Sequence, residues 1–570
     1  MKPFLCFLGG CEFTYLIKQL KSHPEAYFDF DYFSCFEDCG EFSAYGFLAA
    51  HTQKVFDLHP SVVILSQRDG LGRQISDIHA NRVVSRAEQD EQIAELARQC
   101  ELMILTLSAL NVPIVMQYFP WARTNLRNRF KPPADIYNEE QILRRYCEAM
   151  EALAVRYPQF YFLNLTQVCA MDGFRRTLKM TDRATSTHIA FPPVGIAQEY
   201  ADLIHYLLHP EDKVKCVLVD LDNTMWHGVI RDVGVENIEI RPLVERFRWN
   251  VLTILHTRGL LIGVISKNDP HLETEIMKFL GPHARMLLPA ACRINWLDKW
   301  QNMIEIQRQL NIGMDAIAFI DDNPFEREQM KTMLPEVRVY DENIFERLLS
   351  APQFQPEVVT RESRNRSAYY RQDEQRQAAQ ATMTRESFLS QCRFTIGIHT
   401  MQPYEVDRVS ELVQRTNQLN TSIRRYTKAQ IIALGRDPDC DILTVHVSDK
   451  FGDYGLVGVC IGFRRGSAYE IDTLLFSCRI MSKGVEDYTL THVLRSAQSS
   501  DCSQVLLHFR KGPKNKPMRM ILEKNGFSRS EEQDETVTYA FDLHRQSIQP
   551  FPQWFATADD ETQVPVSIPA

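Results

Sequence analysis

The sequence predicts a multidomain α/β protein, and three observations carry that expectation. From residue 1 to about 210, short apolar runs alternate with stretches of helical period, and a second alternation of the same kind runs from Lys213 to about Leu349. A different pattern, with several strands close together, occupies Cys392 to Leu543. At roughly 150 residues per domain, the 570 residues have room for several such units. With 44% hydrophobic and 24% charged residues, the composition is that of a globular protein and excludes disorder as a description of the whole.

In the first region, residues 1–210, strands are expected at Phe4–Leu8, Val62–Leu65, Val112–Met116 and Phe160–Leu165, with helices at Ala87–Cys100 and Glu139–Tyr157. The second region, 211–358, carries apolar strand-like runs at Cys216–Val219, Leu260–Ile265 and Ala316–Ile320, and helices at Leu243–Arg258 and Trp300–Leu310. Residues 359–387 are charged and nearly free of Gly and Pro, which reads as an exposed helical connector. The third region, 388–545, has strands at Ile442–Val447, Leu456–Phe463, Tyr469–Phe476 and Val505–His508 and a helix from Val485 to Ala497. The segment 546–570, with four prolines, reads as a disordered tail. No internal repeat stands out.

The 64 Lys and Arg against 73 Asp and Glu give a net charge of -9 without any long block of one sign. Nucleic acid is therefore not an expected partner. No stretch approaches the ~20 apolar residues that span a bilayer, so no membrane association is expected, and Phe4–Leu8 is too short for a signal-peptide core. The 14 cysteines are scattered, often inside apolar runs, which fits a cytoplasmic, reducing setting. Cys35 and Cys39 lack a second pair at zinc spacing.

The chemistry concentrates in the second region. Cys216–Val219 is followed by Asp220, Leu221, Asp222, Asn223 and Thr224, which puts two carboxylates and a hydroxyl just past the end of a buried strand, where open α/β sheets bind ligands. Asp220 is placed to attack phosphorus and Asp222 to serve as acid and then base. The next strand ends in Ser266, Lys267 and Asn268; Lys299 opens an amphipathic helix; and Ala316–Ile320 ends in Asp321, Asp322, Asn323 and Pro324. A carboxylate and a phosphate meet only with a cation between them, so Mg²⁺ is expected, with Asp321 as a further ligand. Asp322 reads equally as a metal ligand or as a cap of the helix at Pro324.

These four strand ends resemble the haloacid dehalogenase (HAD) phosphatase superfamily over residues 213–349. The resemblance implies a Rossmann-like domain with Asp220 as nucleophile, Asp222 as acid/base, Thr224, Ser266 and Lys299 at the phosphate, and Asp220, Asp222 and Asp321 at the metal. The second aspartate of that motif usually binds metal through its backbone carbonyl. The stretch between Thr224 and Ser266 is too short for a cap domain, so the site is expected to be uncapped and suited to a bulky or carrier-borne substrate.

A narrower resemblance follows from DLDNTMWHGVI (220–230), ISKNDP (265–270), Trp296 to Lys299, DDNPFERE (321–328), TNQLN (416–420), DKFGDYGLVG (449–458) and SCRIMSKGVE (477–486). Together they look like the FkbH-like, or HAD-IIIC, branch over residues 213–527. That family dephosphorylates 1,3-bisphosphoglycerate and loads glyceryl onto the phosphopantetheine thiol of an acyl carrier protein in polyketide pathways. Such a protein has two partners, the carrier and a small phosphorylated substrate. The alternatives are a HAD phosphatase for another substrate and a noncatalytic scaffold that docks carriers.

In the third region, Arg479 to Gly484 lies between a strand and a helix and resembles the pyrophosphate loop of GNAT-like acyltransferases. The resemblance implies acyl or pantetheine contacts at Asn417, Asp449, Asp453, Arg479, Gly484 and Asn515. Cys478, beside Arg479, reads either as a thiol that carries glyceryl or as a packed cysteine. Arg510, Lys511, Lys514, Lys516 and Arg519 read as a carrier-docking patch or as a solvated face. The family has Gly at the positions of His227, Arg231 and Ser482; His227 reads as a proton relay or a plain loop histidine. Residues 1–210 resemble an SGNH-hydrolase-like domain. They show Gly9, Gly10, Cys11 and Glu12 where that family has its serine, and Asp182 and His188 are out of register for the late Asp-x-x-His pair, so a noncatalytic role is expected.

Overall fold

Buried β-branched and aromatic runs set the sheets of both units. A computed structural model of the chain describes residues 2–10, 12–22, 30–41, 43–67, 71, 84–118, 136–172, 178–179, 188–189, 194–209, 212–356, 359–380, 383–512, 514–533 and 535–555. The chain divides into two compact units, Met1–Pro210 and Glu211–Ala570.

The first unit holds a parallel sheet of β1 (Phe4–Leu8), β2 (Asp31–Ser34), β3 (Val62–Ser66), β4 (Ile114–Tyr118) and β5 (Phe160–Asn164), in the order β2-β1-β3-β4-β5. Successive side chains of β1 enter different cores: Leu5 and Phe7 pack with Phe13 and Tyr200, Cys6 and Leu8 with Phe47 and Met103. A sheet covered on both faces accounts for the unbroken apolar runs. The helices Arg86–Leu107 and Glu139–Arg156 begin at capping boxes, Ser85 with Glu88 and Asn138 with Gln141. β6 (Leu178–Lys179) pairs antiparallel with β7 (His188–Ile189). Cys11 and Asp182 lie outside the described residues, as does the side chain of His188.

The second unit contains two sheets. The first is parallel, with β8 (Cys216–Val219), β9 (Leu261–Ser266), β10 (Leu287–Ile294), β11 (Ile317–Ile320) and β12 (Arg338–Tyr340) in the order β10-β9-β8-β11-β12. At Gly263 in β9 an added Cβ would stand 2.2 Å from Ala291 O, so the close β9–β10 approach requires glycine. The second sheet is mixed, with β13 (Thr395–Thr400), β14 (Cys440–Asp449), β15 (Gly452–Arg465), β16 (Ala468–Phe476), β17 (Gln504–Arg510), β18 (Ser528–Gln533) and β19 (Thr536–Asp542), in the order β13-β14-β15-β16-β17-β19-β18. Its single parallel pair, β16 with β17, runs only from Ala468↔Gln504 to Ile471↔Leu507. Beyond that point the strands part, and Leu419–Ser422 wedges between them. Thr421 N donates to Leu474 O at 3.0 Å, while Arg510 N donates to Thr421 O at 2.8 Å.

Two expectations for this unit need correction. The connector is helical, at Arg366–Gln380, but it is not a solvated spacer. Its charged side chains are engaged on both sides: Arg366 Nη1 donates to Gly259 O and Arg371 Nη2 to Arg285 O, while Arg376, 4% exposed, forms a bidentate pair with Asp449 at 2.8 Å. The tail expected to be disordered is packed as far as Phe555. Phe551 stacks on Tyr488, Phe555 is buried, and Trp554 Nε1 donates to Lys483 O. Apolar rings on this stretch outweigh the prolines. Among the described residues, no helix is long and apolar enough to cross a membrane.

Candidate active site

Three strands of the parallel sheet, β8, β9 and β11, deliver a polar residue at the carboxyl edge, where the backbone leaves the sheet. Asp220 follows β8, Ser266 ends β9, Asp321 follows β11, and Lys299 is the first residue of the helix Lys299–Leu310. All four are at least 95% buried. The Lys299 ammonium lies 2.8 Å from Asp220 Oδ1 and 2.6 Å from Asp321 Oδ2, so it ties the ends of β8 and β11 together. Burial opposes its charge, but the two carboxylates prevail and hold its pKa above the ordinary lysine value. Asp321 is pushed up to about 7, first by burial and then by Asp220, with Lys299 opposing.

Asp222 occupies a different environment. Its Oδ1 accepts from Trp226 Nε1 at 2.8 Å and Ile230 N at 3.2 Å, and its Oδ2 from Asn268 Nδ2 at 3.1 Å. Burial nevertheless raises its pKa, against these donors. A carboxyl that retains its proton to higher pH suits a general acid. Asn268 also donates to Ser266 Oγ at 3.1 Å, fixing the hydroxyl expected at the phosphate.

Among side-chain oxygens, the acid cluster includes Asp322 and not Asp222, whose expected metal contact is its backbone carbonyl. Asp220, Asp321 and Asp322 offer oxygens that all lie within 4.8 Å of one another, whereas the Asp222 carboxylate is held by its three donors outside that group. Asp322 is thus brought to the site, and the helix Pro324–Met333 is capped by its neighbour Asn323, whose Oδ1 accepts from Phe325 N. Thr224, expected at the phosphate, instead fixes Asp322: it donates to Asp322 Oδ1 at 3.0 Å and accepts from Asp322 N at 3.1 Å. Arg327 Nη1 donates to the carbonyls of both Asp321 and Asp322. A set of three carboxylates suits a hard divalent cation such as Mg²⁺. Between Thr224 and the start of β9 stand only the short helix Ile230–Val233, the turn Val235–Asn237 and the helix Glu245–Thr257, so no domain is inserted over the site. His227 is exposed, and its backbone pairs with Glu239.

The residues expected at a pantetheine arm fare less evenly. Asn515 is 1% exposed and its amide is fully used, with Nδ2 donating to Asn420 O and Arg510 O and Oδ1 accepting from Gly512 N. It clamps the wedge, with both amide hydrogens engaged inside the fold. Asp449 is likewise structural, since it holds Arg376 and accepts from Phe451 N, Gly452 N and Tyr454 Oη. Asp453 is exposed and accepts from Gly455 N within its turn. Asn417 accepts from Arg425. Gly484 caps the helix Val485–Ser499 with φ +84, and a Cβ there would meet Trp554 at 2.7 Å; Ser482 takes φ +66, a left-handed backbone that glycine adopts more readily. Cys478 Sγ reaches Gln418 Oε1 at 3.5 Å. Four of the five cations read as a docking patch are paired within the chain: Arg510 with Glu535, Lys511 with Glu532, Lys514 with Asp315 and Arg519 with Glu523.

The chain matches no protein-family model and no curated protein. Among solved structures it is similar to the N-terminal part of BF1531 from Bacteroides fragilis, described as containing a phosphatase domain complexed with Mg, at 21% identity over 62% of this chain and 94% of that one, with a TM-score of 0.48. It is also similar to the ribosomal-protein-S18-alanine N-acetyltransferase of Escherichia coli (10% identity, 26% of this chain and 94% of that one, TM-score 0.22) and to Ard1 of Thermoplasma volcanium (19%, 26% and 97%, TM-score 0.22). Every one of these TM-scores is below 0.5, so the reading of the site rests on its own geometry.

Proposed function

We propose that the chain is a Mg²⁺-dependent phosphatase that works through an aspartyl-phosphate at Asp220, and that its substrate is 1,3-bisphosphoglycerate, with the glyceryl unit passed to the phosphopantetheine thiol of an acyl carrier protein. The observation that carries the phosphatase part is the Lys299 ammonium in contact with Asp220 and Asp321, because it gathers three distant segments at one sheet edge. Asp220 attacks phosphorus; the bond from phosphorus to the ester oxygen breaks; and Asp222 gives that oxygen its proton. Asp222 then takes a proton from water as the water attacks phosphorus and releases phosphate from Asp220. Asp220, Asp321 and Asp322 would hold Mg²⁺, whose chemistry here is to offset the charge of nucleophile and phosphate. Ser266, fixed by Asn268, and Lys299 bind the phosphoryl oxygens. The open edge admits a substrate carried on a larger partner. The glyceryl and carrier part rests on the resemblance to FkbH-like proteins: the Cys478 thiolate attacks the acyl carbonyl, the bond from that carbon to the phosphate oxygen breaks and the 1-phosphate leaves, and the carrier thiol then takes the acyl group and returns Cys478 as a thiolate; the scattered free thiols suit a cytoplasmic setting.

A phosphatase for another phosphorylated substrate is the second reading, favoured by the internal use of Asn515, Asp449 and the cations of the expected docking patch. The protein is incubated with 1,3-bisphosphoglycerate, Mg²⁺ and a pantetheinylated carrier, and the carrier is weighed by intact-protein mass spectrometry. A glyceryl adduct lost in Asp220→Asn supports the first reading. Phosphate release without an adduct supports the second, and neither signal leaves a carrier-docking scaffold.

A further inference from the structure

We propose that the cavity where the linker helix meets both sheets of the second unit is a separate anion site, which takes the phosphoryl group of an organic phosphate and presents it beside Cys478. The cavity encloses about 280 Å³ and is walled by Lys215 from the parallel-sheet domain, Arg366 from the linker helix, and Cys478, Arg479 and Lys483 from the third domain. Lys215 precedes β8 and Asp220 follows it, so the cavity opens at the edge opposite the carboxylate cluster. Five steps of extended chain separate them by roughly 16 Å.

Charge is the argument for the ligand. Among the described residues, seven cationic side chains line the cavity against three carboxylates. Four of the cations are matched: Glu411 lies 3.0, 2.8 and 3.2 Å from Arg366, Arg408 and Arg415, and Arg376 pairs with Asp449. Among the described residues, Lys215, Arg479 and Lys483 form no ion pair. The Nη1 of Arg479 is buried without an acceptor, its Nε reaches only Ser477 Oγ at 3.4 Å, and its guanidinium lies over the Tyr369 ring. Lys215 donates only over 3.5 Å, to Arg415 O. Enclosure, with Arg415 and Arg366 adding to it, pushes Lys215 down to about 8, and enclosure with Arg408 pushes Arg479 down to about 10. Lys483 donates to Arg479 O, so Lys215 and Arg479 are the cations short of acceptors; confined cations in that state cost stability, and an anion of two charges with several oxygens would satisfy them together.

The phosphoryl group has two possible sources, the pantetheine arm of a carrier or a free phosphorylated acid. The inference rests on the proposed acyl-transfer reading for this choice of probes. Full-length Asp220→Asn protein without Mg²⁺ is titrated calorimetrically with 4′-phosphopantetheine and, separately, with 3-phosphoglycerate. Protection of Cys478 from iodoacetamide, read by peptide mass spectrometry, locates the bound ligand. At least one probe is expected to bind and to shield Cys478, with Arg479→Met and Lys215→Met each weakening it by about tenfold or more. Protection by phosphopantetheine assigns the carrier arm, and protection by phosphoglycerate a free acid. Should Arg479→Met fail to fold, Lys215→Met decides alone, since it removes a charge from a confined position. Absence of binding by either probe, or binding that these substitutions leave unchanged, overturns the site. Phosphate release by the unsubstituted chain reports separately on Asp220, so either site can fail without the other.

Discussion

Lys299 keeps Asp220 and Asp321 from facing each other as bare charges. Lys299→Met should therefore lower phosphate release by about 10²-fold or more, measured as kcat with saturating Mg²⁺. Asp222 contributes differently, through the proton that burial lets it keep. The first step should slow as pH rises through its raised pKa, and Asp222→Asn should both remove that alkaline fall and cost about 10²- to 10⁴-fold in kcat, read from a pH–rate profile. Asp220 and Asp321 were legible in the sequence because each stands directly after an apolar run, which fixes its position at a sheet edge, and Lys299 because it opens an amphipathic helix. The place of Asp322 was not, because only the Thr224 hydroxyl, far away in the chain, decides whether that carboxylate turns toward the site or caps a helix.

Glu486 sits in the first turn of the helix Val485–Ser499, 3% exposed, and its Oε1 has no hydrogen-bond partner. Burial first, and then Asp487, push its pKa up to about 7 from 4.5. The folded state thus favours the protonated form, so its contribution to stability is complete below pH 4.5 and is lost as pH rises to about 7. Glu486→Gln should raise Tm at pH 8 and leave it unchanged at pH 4.5 in thermal melts. Asp449 clamps the linker helix through Arg376, and both side chains are at most 5% exposed. Asp449→Ala should cost about 2 kcal/mol and expose the linker to protease, since it leaves the buried Arg376 guanidinium with Asp373 as its remaining carboxylate. At this scale, the central strands were legible as continuous apolar runs, but several other strands escaped. β2 and β12 are short edges, β10 contains Pro289, β13 is largely exposed, and β18 is SRSEEQ, without an apolar residue. Their pairing is decided by neighbours in space and leaves no local period.

The cationic cavity belongs to the molecule as a whole: Lys215, Arg366 and Arg479 come from three regions, share no motif, and acquire a common environment only when the linker helix packs against both sheets. Its position bears on how phosphate and acyl chemistry would cooperate. If Cys478 accepts an acyl group, Cys478→Ala should abolish carrier loading and leave phosphate release within about twofold, as expected for independent sites well apart. Because Cys478 shares its cavity with Lys215, which precedes β8, while Asp220 follows that strand, the two reacting groups stand near opposite ends of one strand. What the first releases must travel through solvent or swing on a tether to reach the second, so the time course of the second product should begin with a lag, and a scavenger added to the medium should intercept what is in transit.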